Sequence, residues 1–247
     1  MEKSAIRSAT EQLSQLLLIK PEPEDQRINN DGEDAATTAI NIVIPVQPFI
    51  SLCNSLIHVL GLLSASVSVD LFLFLSVMLS FTIADKIGPT MAVLRQEIRQ
   101  NIERLEMAEE WGDLVEILKK EGREGRARTE SSCSRAFLWL IRSLDFTLAL
   151  LEKIASNEGG MNMERAVEES YNQTLKPWHG WISSAAYKIA LKLVPDTPTF
   201  INIIMEDHHN YHTLLHDIHI LIPLLSAFLE QAHSILRLYN LNRIKSK

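Results

Sequence analysis

Cysteine is scarce in this chain: Cys53 and Cys133 are the only two among 247 residues, and they form no CxxC pair. This argues against a disulfide scaffold or a cysteine-built metal site, and the apolar or helical context of both points to buried, reduced thiols. Glycine and proline are also few, nine each, and aromatic residues make up only 6%. With 46% apolar residues and no convincing apolar/polar alternation, the balance is that of a helical protein rather than an all-β one. Basic residues are outnumbered, and the net charge of -7 argues against a nucleic-acid partner. No HExxH pair, Gly-x-Ser-x-Gly elbow, P-loop or dinucleotide fingerprint occurs. The sequence thus offers no catalytic constellation and implies no cofactor. Its first residues lack a basic stretch leading into an apolar run and a small-residue cleavage site, so the expected location is cytoplasmic.

What is present reads as helices around one core, the prior for this length. Residues 1–20 carry Ile6, Leu13, Leu16, Leu17 and Ile19 among helix-tolerant polar residues. This is a short amphipathic helix whose docking face the sequence does not give. Residues 20–38 hold two prolines, Asn29-Asn30-Asp31-Gly32 and almost no large apolar side chain, the composition of a solvated, acidic linker. The expected division is therefore 1–44, helix and linker, and 45–247, one folded domain.

Within that domain, 48–60 places Phe49, Leu52, Cys53, Leu56 and Val59 on one helical face. Gly88-Pro89-Thr90 opens the next helix, with proline where a missing N–H costs nothing. Trp111-Gly112-Asp113 ends it, and Asp113 is suited to cap a short helix through Lys120. Residues 121–132 read as a solvated loop. They contain a formal GxxG match, Gly122 to Gly125, without the strands that a nucleic-acid clamp requires. Helices are expected over 134–156 and 163–194, the second bent at Pro177. Another starts at Asp196-Thr197-Pro198-Thr199, and a last one, kinked or interrupted by Pro223, runs to about Leu241.

Three separated segments carry candidate binding residues. In Arg95-Gln96-Glu97-Ile98-Arg99-Gln100-Asn101-Ile102-Glu103-Arg104, the side chains of Glu97, Asn101 and Arg104 fall at i, i+4 and i+7, one stripe of a helix. A carboxylate, an amide and a guanidinium on one stripe suit a polyhydroxyl sugar or an amide; taken alone, an ordinary charged solvent face is the commoner explanation. The second is Leu138-Trp139-Leu140-Ile141-Arg142, where the indole reads either as core or as a flat platform. In the third, Lys176-Pro177-Trp178-His179-Gly180-Trp181, His179 alone reads as a packed histidine.

In this order the three segments resemble the glycolipid transfer protein family. The resemblance implies an all-α, two-layer helical sandwich that binds a single sphingolipid and carries it between membranes. It implies no reaction, and its partners are a glycosphingolipid and a transient membrane surface, with a monomer as the expected state. It assigns Asn101 and Arg104 to the headgroup, the arginine replacing the usual lysine, and His179 to the ceramide amide carbonyl. Glu97 stands where the family usually has aspartate, which binds both the lipid amide N–H and the sugar. Members that carry phosphorylated ceramide tend to have arginine at the position of Trp139 and four residues later. This chain has Trp139 and Ser143, which points to a sugar, as in a simple glycosylceramide. Arg104 and Arg142 keep ceramide-phosphate transfer as the alternative.

Two further features compete. His208, His209, His212, His216 and His219, with Glu206, Asp207 and Asp217 nearby, suggest a metal site, but no second motif completes one. Residues 61–84 are long enough to cross a bilayer, and Asp70 is their only charge. A membrane-anchored sphingolipid sensor is the reading that follows if they insert. In the family a helix like 48–60 runs almost directly into a segment like Asp85-Lys86-Ile87-Gly88-Pro89, so 61–84 reads as an insertion, with a retained in-frame intron as its expected origin.

Overall fold

A computed structural model describes residues 4–18, 42–65, 98–108, 110, 112–156, 162–192, 194–205 and 210–245. The described residues are helical apart from turns and one isolated bridge, Pro45 to Asp113. We number the helices α1 (Ala5–Leu18), α2 (Val46–Ala65), α3 (98–106), α4 (Leu114–Arg123), α5 (Cys133–Ser156), α6 (Met163–Thr174), α7 (Trp181–Leu191), α8 (Thr197–Ile204) and α9 (Tyr211–Leu238).

The docking face of α1 is now defined. Ile6, Ala9, Leu13 and Leu16 form a buried stripe against α2 and α9. Arg7 donates to the Asp217 carboxylate of α9 at 2.7 Å and fixes the register of that contact. The stripe belongs to the same apolar cluster as the rest of the molecule. Its centre is aromatic: the Phe49 ring of α2 meets Phe137 of α5 edge-on at 5.2 Å and Phe228 of α9 at 5.9 Å.

Asp113 caps α4 as its sequence context suggests, and it does more. One carboxylate oxygen accepts from Val115 N at 3.0 Å and from Ile44 N at 2.9 Å. The chain before α2 is thereby tied to the start of α4, with two backbone bonds alongside, Val46 N to Gly112 O and Leu114 N to Ile44 O. Gly112, at φ +67°, supplies the left-handed turn this clasp needs.

Several elements differ from their sequence reading. Helix α4 runs on to Arg123, so Glu121 is not in a solvated loop but 1% exposed. Its carboxylate accepts from Cys133 N, Ser134 N and Ser134 Oγ at 2.6–3.1 Å, capping α5, and pairs with Arg126. The expected helix over 163–194 is not bent at Pro177 but broken, with α6 ending at Thr174 and α7 starting at Trp181. Pro177 lacks an N–H and disfavours helical geometry at Lys176, and Gly180 opens the next helix in extended backbone. Pro223, by contrast, is accommodated inside a continuous α9.

Cys53 is buried and Cys133 half-buried, both free, and burial raises both thiols above their ordinary range. Among the described residues no group of three metal-ligating side chains could hold an ion; His208 and His209 lie outside them. Of the segment 61–84, residues 61–65 continue α2 and the rest lies outside the described residues. Among the described residues, one helix is long and apolar enough to span a membrane, α9, which packs against α1 and α5.

Asp113→Ala removes a cap and strands the N–H of Ile44, a residue only 2% exposed. The expected loss is about 2–3 kcal/mol of unfolding free energy in urea titration.

Candidate functional site

Helix α3 presents Ile102 and Leu105 to the core, with Ile98 partly buried against it. That orientation leaves Asn101 and Arg104 together on the adjoining face, as 3.6 residues per turn require. Arg104 Nη1 donates to Asn101 Oδ1 at 2.9 Å, and Asn101 is 4% exposed. Glu97, the third member of the predicted stripe, lies outside the described residues. Cys133 Sγ donates to the Arg104 carbonyl at 3.4 Å, which docks this end of α3 on the start of α5. Arg104 and Cys133 line a cleft of about 220 Å³ with Lys120, Glu121 and Arg126.

Trp139 and His179, 40 positions apart in sequence, are brought together. Trp139 points from α5 toward the turn between α6 and α7, where the break at Pro177 folds the chain back. His179 N donates to Leu175 O within that turn, and the imidazole sits 5.8 Å from the indole, centre to centre. The Tyr171 hydroxyl is 3.2 Å from His179 Nδ1, and Tyr171 stacks face to face on Tyr187.

Sequence reading missed how Arg142 is used. Its guanidinium lies over two indoles, 4.8 Å from the centre of the Trp139 ring and 4.1 Å from that of the Trp178 ring. The residue is 2% exposed, Nη2 donates to the Asn242 carbonyl at 3.1 Å, and Nη1 has no acceptor. Burial pushes its pKa down to about 10 against the pull of Asp145. The i, i+3 spacing of Trp139 and Arg142 was the available signal; nothing in sequence placed Trp178 beside them. Trp139 itself is 9% exposed. Ser143 donates to the Trp139 carbonyl at 3.0 Å, so its hydroxyl is used within the helix.

Burial first, and the Arg142 cation second, push His179 from 6.5 down to about 4. The ring is therefore neutral at physiological pH and carries one N–H. An unfolded chain takes up this proton near pH 6.5 while the folded one resists it until about 4. The contribution of neutral His179 is thus complete above pH 6.5 and is lost as the pH falls through that window. Urea midpoints measured from pH 7 to 4.5 are expected to fall more steeply for the wild type than for His179→Leu.

Residues 44–206 match the profile of the glycolipid transfer protein family, about two thirds of the chain. Glycolipid transfer protein 3 of Arabidopsis thaliana is 45% identical over 98% of this chain and 91% of its own length. Among the solved structures that share the fold are two with sphingolipids in their descriptions. One is Arabidopsis accelerated-cell-death 11, as a mutant complexed with C12 ceramide-1-phosphate, at TM-score 0.72 and 16% identity over 97% of this chain and 98% of that one. The other is FAPP2, described as selecting simple glycosphingolipids with the GLTP fold, at TM-score 0.64 and 20% identity over 84% and 92%. The all-helical architecture, the three motifs in their order and the match over most of the domain agree: this chain belongs to the glycolipid transfer protein family.

Proposed function

We propose that the protein binds one glycosphingolipid, a simple glycosylceramide, and carries it between membranes without chemical change. The observation that carries this reading is the pairing of Trp139 with His179 at 5.8 Å. In a ceramide lipid the headgroup leaves C1 and the amide leaves the adjacent C2, so one platform and one amide ligand have to stand side by side. Trp139 serves the sugar, which shares the indole with Arg142. Asn101 and Arg104, with Glu97 four positions before Asn101 in the sequence, bind the headgroup, and Glu97 also takes the amide N–H. His179 takes the amide carbonyl. The lipid-binding domain is 45–247, interrupted at 61–84; the carrier works as a cytoplasmic monomer.

A carrier is needed because each CH₂ shielded from water is worth about 0.8 kcal/mol, or roughly 20 kcal/mol for two long chains. The α7–α8 wall is where the chains enter at least cost, since its buried side chains among those described are Ala190, Phe200 and Ile204. Beside it Trp181 is 79% exposed, an indole suited to a membrane interface, where the protein docks transiently.

Trp139→Ala is expected to abolish glycosylceramide transfer between vesicles while helicity by circular dichroism is kept. Trp139→Arg with Ser143→Arg should turn preference toward ceramide phosphate, because forked cations replace an apolar face. Unchanged transfer and unchanged preference would together remove the headgroup from this site.

The segment 61–84 is an addition to the domain rather than part of its lipid machinery. Deleting it is expected to raise solubility and leave transfer at least equal to that of the full chain, and a transcript lacking it should exist. Misfolding or lost lipid binding on deletion would make it integral to the fold.

A further inference from the structure

His179 has one hydrogen and two nitrogens at physiological pH, so its chemistry depends on which nitrogen bears the hydrogen. A ring with Nε2–H donates to a carbonyl from that edge; a ring with Nδ1–H presents Nε2 as an acceptor, which a lipid amide carbonyl cannot use. We infer that Tyr171 is a positioning residue that sets this tautomer: its hydroxyl donates to His179 Nδ1, leaving the hydrogen on Nε2 for the amide carbonyl. The inference rests on the reading of His179 as the amide ligand.

Three observations support it. The Tyr171 oxygen is 3.2 Å from Nδ1 and 3.5 Å from Ser184 Oγ, so its single hydrogen goes to the nearer and stronger acceptor. Ser184 is free to rotate its own hydrogen toward the phenol oxygen, which has lone pairs to accept it. Burial raises the phenol above its ordinary range, so it stays a donor throughout the range of cellular pH. Tyr171 is itself held fixed, 3% exposed, with Tyr187 stacked on its ring and the Tyr187 hydroxyl donating to the Val167 carbonyl at 2.9 Å one turn away. The aromatic pair thus fixes the phenol, and the phenol fixes the imidazole.

Tyr171→Phe keeps the ring and its stack and deletes only the hydroxyl. In ¹⁵N spectra of the lipid-free wild type, His179 Nδ1 is expected to be pyridine-type and hydrogen-bonded, and Nε2 pyrrole-type. In Tyr171→Phe the Nδ1 resonance should move to the position of a free pyridine-type nitrogen. Affinity for short-chain glucosylceramide and for ceramide-1-phosphate should fall by about three- to tenfold, equally for both, because the amide is common to them. In a His179→Leu background the same substitution should change affinity by less than about twofold, since the residue it acts through is gone. A pyrrole-type Nδ1 in the wild type would give the phenol hydrogen to Ser184 and overturn the inference. So would an equal loss in both backgrounds, which is the mark of a merely structural tyrosine. If the wild type bound no ceramide lipid at all, the functional reading would fall, while the spectra would still decide the tautomer.

Discussion

The burial of α5 on both sides is the constraint from which the rest of the molecule follows. Phe137 and Trp139 are two residues apart, about 200° around the helix. Phe137 therefore meets Phe49 of α2 on one side while Trp139 meets His179 on the other. Every residue from 136 to 142 is buried, so this stretch of α5 is enclosed on all sides, and α2, α4, α6 and α9 all pack against α5. Core and site are thus two faces of one helix.

The second consequence of this enclosure is electrostatic. Arg142 is carried inside with α5, at 2% exposure and with one N–H group unpartnered, where a carboxylate partner would be expected. Asp145, one turn on, is the nearest candidate, but it is hydrogen-bonded to His233 of α9 at 2.8 Å. Two indoles stand in for the missing counter-ion, since their faces carry partial negative charge. Two indole faces and one carbonyl compensate a cation only in part, which is why burial moves Arg142 downward and why its charge helps to keep His179 neutral. Cation, indole and imidazole form one coupled unit rather than three separate contacts.

Much of the fold was legible because it is written locally. Asp113 before Leu114, Asp196 before Thr197 and Pro198 in the first turn of α8 are start signals that act within four residues, and each does so here. The stripe of α1 was equally plain, although what it docks on was not, since Arg7 and Asp217 are 210 positions apart. What sequence could not give are cases where distant groups decide. A glutamate at the end of α4 reads as a loop residue until the N-terminus of α5 arrives to accept it. Pro177 and Pro223 both stand in stretches whose sequence reads as helical, yet only the first lies at a break between helices. The difference is the company of Pro177: Gly180 nearby and a turn closed on Tyr171 and Leu175. Of the candidate site, the three motifs were visible, but the contact of Arg142 with a second indole and the tyrosine behind His179 depend on how the turn between α6 and α7 brings Trp178 and His179 to α5.

An all-helical architecture is also what the proposed work demands. To admit two hydrocarbon chains, a core packed to the density usual for protein interiors has to part somewhere and close again. In a sheet, parting strands breaks the backbone hydrogen bonds that join them, and each donor or acceptor left buried against a lipid chain without a partner costs about 1–3 kcal/mol. Helices satisfy their backbone groups internally, so two of them can separate and lose only side-chain contacts. A lipid chain then replaces those contacts with others of the same kind, CH₂ against Leu, Ile and Phe. The exchange is nearly balanced inside the protein and strongly favourable against water, at about 0.8 kcal/mol per CH₂. On the proposed reading, polar recognition by the motif residues selects which lipid enters, while the helical walls determine that one can enter at all.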